Sequence, residues 1–373
     1  MRVLMICPEL PRTEKPGSMA PTSRQIQSLR DLGLEIETID MHGVRRWKYL
    51  QAIPKTRRTI PKVDLVHAHF GYCGWLALLG RALAFRRIPI VMSFMGDDLL
   101  GTPKDEQGNL ESSSIWALKF NCWIAKYYKE VIVKSPEMQQ RLGAVPCHVV
   151  PNGVDLGVFT PQDRISARRA LGWAAEGYKV LFPGDPSNPR KGFELAKAIV
   201  RVAEKKLNAT IELIPLWGVK PDQVAMYMNA CNAMLMTSLI EGSPNVVKEA
   251  MACNANIISV PVGDVHEMLR GVEGCFAGPR EAQLLGETLG EALLANRPST
   301  GRRTLQERSL DLEGVAKRIH SIYLRALNQA IDLGLDRKSP DSSTSFSEPN
   351  AGSNIHVDCP QTQVLATVSQ ESP

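Results

Sequence analysis

The chain has 373 residues, 44% of them hydrophobic and 22% charged. That excludes a disordered, collagen-like or coiled-coil chain and leaves room for about two domains. The net charge of +5 is too small to name a partner, so the placement of the cations matters more than their sum. The start, MRVLMICPEL, lacks a basic segment ahead of a long apolar run and a small-residue cleavage site, so secretion is not expected. Val3-Leu4-Met5-Ile6-Cys7 is uniformly apolar, as a strand covered on both faces of a parallel sheet would be. A Pro- and Gly-containing loop runs from Pro8 to Pro21. A helix follows over about 22–32, and Gly33 can end it. LEIETID, VDLVHAHF and IPIVMSF read as strands, with GWLALLGRALAFRR as a helix between the last two. Residues 113–129 read as a helix, VIVKS as a strand, and PEMQQRL as the start of another helix. The longest apolar region, Trp75 to Phe85, is broken by Arg81 and too short to span a bilayer.

At CHVVPNGVDLGVF the pattern stops in a turn at Pro151, Asn152 and Gly153. It then restarts with KVLFPG, GFELAKAIVRVAEKK, TIELIPL, PDQVAMYMNAC, AMLMTSL, PNVVKEAMAC, NIISVPV and VHEMLRG. Alternating strands and helices predict α/β structure with doubly wound parallel sheets. The expected organisation is two Rossmann-like domains, 1–155 and 156–334, facing across a cleft. A last helix over about 312–333 is expected to return towards the first domain, and the Ser-, Thr- and Pro-rich tail 335–373 to be disordered. The eight cysteines form no CxxC pair, which reads as free thiols of a cytoplasmic protein.

Ligands of such folds bind beyond the carboxyl ends of the strands, so candidate residues should directly follow strands. After AMLMTSL comes Glu241-Gly-Ser-Pro-Asn-Val-Val-Lys-Glu249. Ser243 is a favoured N-cap and Pro244 a favoured first helical residue. The helix start around Ser243, Pro244, Asn245 and Val246 would then offer backbone donors to a phosphate. Glu249 falls roughly 7–8 Å further along the axis. Two carboxylates with an anion site between them suit a nucleotide sugar. A solvated loop Glu and a Lys-paired helix Glu are the plainer alternative.

After KVLFPG, which ends in Gly184, comes Asp185-Pro-Ser-Asn-Pro-Arg190-Lys191-Gly192. Arg190 can bond phosphate oxygens in bidentate fashion and Lys191 adds a compact charge, which suits a diphosphate leaving group. The first loop holds Gly17-Ser18 but no GxGxxG, which argues against a nicotinamide-dependent dehydrogenase. It can still bring backbone close to a phosphate or an acceptor. After IPIVM, adjacent Asp97 and Asp98 could orient sugar hydroxyls, bind a metal, or simply cap a helix, and Asp98 is counted with the catalytic candidates. His67 and His69 alternate on one strand and share a face, but no third ligand is evident, so no metal site is expected. Residues 44–62 carry Arg45, Arg46, Lys48, Lys55, Arg57, Arg58 and Lys62 with Trp47, Tyr49, Leu50 and Ile53 and no acid. This suits an anionic membrane surface or a plain solvated face. No nucleic-acid-binding motif accompanies it, so no nucleic-acid partner is expected.

VVPNGVDLGVF, RKGFELAKAIV, TSLIEGSPNVVKEAMAC and VPVGDVHEML resemble the family 4 glycosyltransferases of the GT-B fold. The likeness covers about residues 1–330 and is densest over 149–270. It implies a metal-independent, retaining hexosyl transferase without a cofactor, with an acceptor-binding first domain and a donor-binding second one. It implies that Glu241 contacts the donor sugar, Glu249 the ribose, and Arg190 and Lys191 the diphosphate. Gly17 would approach the donor phosphate. The acceptor would be a glycan or lipid-linked glycan in surface polysaccharide or glycolipid assembly, at the inner membrane face. Three positions depart from the pattern. Met95 stands where many members carry His, Asp185 where many carry Arg, and Asn254 where Gly is common. A nucleotide-sugar-binding protein without turnover and a GT-B-type epimerase are the alternatives.

Overall fold

The apolar run at the start of the chain forms strand β1 (Arg2–Cys7), in which Val3 to Cys7 are fully buried. The computed structural model describes residues 1–13, 17–41 and 47–328, with only the backbone of Trp47. Arg45, Arg46, residues 329–333 of the expected last helix and the tail 335–373 lie outside the described residues. After β1 come β2 (Glu35–Asp40), β3 (Leu65–His69), β4 (Ile90–Ser93), β5 (Glu130–Val133) and β6 (His148–Val149). They form one sheet in the order β2-β1-β3-β4-β5-β6. Strands β7 (Tyr178–Phe182), β8 (Ile211–Pro215), β9 (Ala233–Met236), β10 (Asn256–Ser259) and β11 (Cys275–Ala277) form a second sheet in the order β11-β10-β9-β7-β8. Every strand pair in both sheets is parallel. Helices cover both faces of such sheets, which is why the strands need apolar residues on each side. Both sheets lie in one compact unit, Met1–Asp332.

Several element limits differ from the sequence reading. The basic segment is a helix, Trp47–Thr59, although Pro54 lies inside it. The helix expected over 113–129 is Ser112–Ile124, followed by a 3-10 turn at Ala125–Tyr127. Among the described residues no helix is long and apolar enough to cross a membrane.

The chain crosses between the sheets twice, and the two crossings touch. Val154 N–H donates to Leu310 O at 3.0 Å, and Leu312 N–H donates to Val154 O at 3.1 Å. Gly153 fits only because it lacks a side chain, since a Cβ there would stand 2.7 Å from Asp311 O. The helix Leu312–Ala326 starts at this crossing, with Asp311 accepting from Gly314 N–H as its cap. It lies against the helix Ala20–Asp31 and buries Val315, Ile319, Ile322 and Tyr323 in one cluster with Val3, Met5 and Leu65. This helix therefore supplies core to the first sheet.

Candidate active site

The carboxyl ends of the two sheets open onto one cavity of about 770 Å³, a size suited to a small-molecule ligand. Gly17, Thr22, Arg24, Met95 and Asn152 line one side. Gly184, Arg190, Lys191, Glu241, Ser243 to Val246 and Glu249 line the other.

The segment carrying Arg190 and Lys191 is stitched to the residues after β9. Thr237 Oγ1 donates to Lys191 O at 2.9 Å and to Gly192 O at 2.9 Å, and Leu239 N–H donates to Arg190 O at 2.8 Å. Gly192 sits at φ +67°, where a Cβ would meet Thr237 O at 2.5 Å, so the close approach requires glycine. This stitching sets Lys191 Nζ 2.7 Å from Glu241 Oε1. The Lys191 stem lies over Gly184, where a Cβ would stand 2.9 Å from it. Asp185 stays within its own loop, accepting from Ser187 N–H and Oγ.

The Glu241 loop is held from beneath. Ser243 Oγ donates to Asp264 Oδ2 and accepts from Lys248 Nζ, both at 2.7 Å. Burial pushes the Lys248 pKa down and the Asp264 pKa up. This corrects the expected cap. With its hydroxyl taken by Lys248 and Asp264, Ser243 does not cap the helix. Pro244 occupies the N-cap position, and the helix is Asn245–Ala252. Pro244 has no N–H to offer, and the first turn of the helix lines the cavity with Asn245 and Val246.

Asp98 is a second correction. It is 4% exposed, and its carboxylate accepts from the N–H groups of Gly71, Met95 and Gly96 at 2.9–3.1 Å. Burial pushes its pKa up to about 6. It fastens the loop after β4 and has no free oxygen to offer a ligand. Asp97 instead turns to the cleft, with Oδ1 2.8 Å from Arg190 Nη1. Its pKa is raised by burial, against the pull of Arg190.

Sequence reasoning missed Arg24. Its Nη1 lies 2.9 Å from Glu249 Oε1, and its guanidinium stands 5.3 Å from the Phe159 ring centre. Two ion pairs among the described residues thus span the cleft, Arg24–Glu249 and Asp97–Arg190. The histidine pair shares a face as read, with ring centres 4.1 Å apart. His67 is fully engaged, by Tyr323 Oη at 2.6 Å and Ser93 Oγ at 2.8 Å. Burial pushes the His69 pKa down to about 3. Among the described residues no three His, Cys, Asp or Glu side chains are grouped to hold a metal ion.

Residues 2–158 match the model of Glycosyltransferase Family 4, and residues 177–295 match that of the Glycosyl transferases group 1. The chain belongs to the family 4 glycosyltransferases. It is a glycosyltransferase with the GT-B architecture of two facing Rossmann-like sheets. The glycosyltransferase is 25% identical over 352 residues to TuaC of Bacillus subtilis, a protein named for teichuronic acid biosynthesis. That match covers 78% of this chain and 88% of TuaC. In fold it is similar to sucrose-phosphate synthase of Thermosynechococcus elongatus, with a TM-score of 0.70 and 18% identity over 88% of this chain and 99% of that one. It is likewise similar to Anabaena HepE in complex with UDP and glucose, with a TM-score of 0.65 and 17% identity over 87% of this chain and 100% of that one.

Sugar transfer from a nucleotide builds positive charge on the sugar and negative charge on the diphosphate. A cleft with a carboxylate beside an ammonium and a guanidinium can stabilise both at once. In this glycosyltransferase Glu241, Lys191 and Arg190 line the same cavity, with Lys191 Nζ on Glu241.

Proposed function

We propose that this glycosyltransferase is a retaining, metal-independent enzyme that moves a hexose from a nucleotide sugar to a glycan or lipid-linked glycan. In this reading residues 1–155 take the acceptor and residues 156–334 the donor. Glu241 stands by the donor sugar, Glu249 takes the ribose hydroxyls, and Arg190, Lys191 and the first turn of Asn245–Ala252 take the diphosphate. Gly17 leaves room for the first loop to approach that diphosphate. The observation that carries the reading is the Glu241–Lys191 contact of 2.7 Å, with Arg190 next in sequence and Glu249 lining the same cavity.

The bond from the anomeric carbon to the phosphate oxygen breaks as the acceptor hydroxyl attacks on the same face. The departing phosphate oxygen receives the hydroxyl proton, so no imidazole is needed where Met95 stands. The charge of Arg190 and Lys191 on the leaving group supports metal independence. The name of TuaC supports a place in surface polysaccharide assembly, and with it action in the cytoplasm.

The test is a donor screen. Purified protein is incubated with UDP-, GDP-, ADP- and dTDP-sugars, with and without EDTA, beside Glu241→Ala. Nucleotide release from one donor is expected, unchanged by EDTA and lowered by on the order of a hundredfold or more in the variant. Loss of release in EDTA would overturn metal independence. Saturable donor binding with no release, even when acceptor is supplied, would favour the reading suggested by Met95 and Asp185, a binding protein without turnover.

A further inference from the structure

Three helices on one side of the first sheet share an unusual composition. Trp47–Thr59, Gly71–Leu83 and Ser112–Ile124 have 13 residues each and contain no aspartate or glutamate. Lys55, Arg57, Arg58 and Lys119 are exposed on them, and Lys126 follows directly. The first two helices pack together. Trp75 joins the second to the third, with ring centres 6.0 Å from Trp116 and 4.7 Å from Phe120, and its Nε1 donates to Asn121 Oδ1 at 2.8 Å.

An aromatic strip runs across this surface. Tyr72 meets Trp75 at 4.6 Å, Trp116 stacks on Phe120 at 5.4 Å, Phe120 meets Trp123 at 5.5 Å, and Trp123 meets Tyr127 at 5.5 Å. Much of the strip is in water, since Trp116 is 62%, Trp123 53% and Tyr127 48% exposed. Leu50, Leu79 and Leu83 are exposed on the same helices. Lys126 stands 5.4 Å over the Trp123 ring and 5.3 Å over the Tyr127 ring.

We propose that this acid-free aromatic face docks the protein on an anionic phospholipid bilayer. Tryptophan and tyrosine favour the headgroup level, where the ring is half in hydrocarbon and half wet. Lysine and arginine around them meet the negative surface potential. A neutral glycan would use the rings but not the cations. The nearest carboxylates along the chain are at the margins: Asp64 accepts from the Arg2 backbone, Glu111 lies just before the third helix, and Glu130, after Tyr127, is engaged by His148 at 2.7 Å. The strip also has a direction. Gly71 follows β3 and Ser112 follows β4, so Tyr72 and Trp116 lie towards the carboxyl edge of the sheet, where the cavity opens. Docked this way, the protein would present its cleft to a lipid-linked acceptor. That consequence rests on the proposed acceptor class, whereas the docking itself does not.

The test is sedimentation of the full chain with phosphatidylcholine vesicles and with mixed phosphatidylcholine–phosphatidylglycerol vesicles, at low and high salt. Binding is expected to the mixed vesicles alone and to weaken steeply as salt rises. Lys119→Gln with Lys126→Gln should lower partitioning on the order of thirtyfold, at about fivefold per cation. Trp116→Ser with Trp123→Ser should also lower it, with far-ultraviolet circular dichroism and a cooperative melt showing that the variant stays folded. No binding to mixed vesicles, equal binding to both kinds, or variants that bind like wild type would overturn the proposal. Nucleotide release from donor alone, followed on the same samples, keeps lipid docking separate from sugar transfer. These four residues lie outside the cleft, so release should persist in every variant.

Discussion

At the scale of single residues, the charged groups of the cleft are already paired before any donor arrives. Lys191 holds Glu241, Arg24 holds Glu249, and Arg190 holds Asp97. A diphosphate that takes Arg190 must draw it from Asp97, and it then sits close to that carboxylate. Both effects oppose binding, so Asp97→Asn removes both. The pair is partly exposed, with Asp97 at 39% and Arg190 at 23%, which limits its strength to that of a surface pair. Asp97→Asn should therefore bind the released nucleoside diphosphate up to about fivefold more tightly in a calorimetric titration. Unchanged or weaker binding would mean that Arg190 does not meet the phosphate.

At the scale of elements, the position of Glu241 depends on a neighbouring loop. Gly263 has φ +60°, and a Cβ there would stand 2.4 Å from Gly242 O and 2.7 Å from Glu241 O. Gly263→Ala must therefore push the Glu241 loop away. Gly143→Ala is the natural control, because Gly143 has φ +63° with nothing within 4 Å. Both variants place an alanine at positive φ, where a side chain is strained, but only Gly263→Ala should cut nucleotide release sharply. Equal release by the two variants would show that the loop tolerates displacement. The elements themselves were largely legible in sequence. Runs such as Val3–Cys7 and Ala233–Met236 are apolar throughout because both faces are buried. The helix Trp47–Thr59 was hidden by Pro54, which ordinarily breaks a helix. That Glu241 and Lys191 share one cavity followed from the sequence, since each lies in the segment after a strand. The roles of Asp97 and Asp98 did not. The residues are adjacent and chemically alike, and the turn at Gly96, with φ +149°, decides which one faces inward. Arg24 left no local signal, because its partner Glu249 is 225 positions away.

At the scale of the whole molecule, the first sheet does not carry its own cover. Val315, Ile319, Ile322 and Tyr323 close one of its faces, and Tyr323 Oη reaches the buried ring of His67. At about 1.5–3 kcal/mol for each buried apolar side chain, these four contribute an amount comparable with the whole stability of a domain, about 5–15 kcal/mol. Residues 1–155 produced alone should therefore fail to fold cooperatively, although they contain every strand of the first sheet. Near-ultraviolet circular dichroism and urea titration of that fragment, beside the full chain, provide the check. A flat near-ultraviolet spectrum with a broad, shallow urea transition is expected. A sharp transition like that of the full chain would mean that the terminal helix only decorates a sheet already stable by itself.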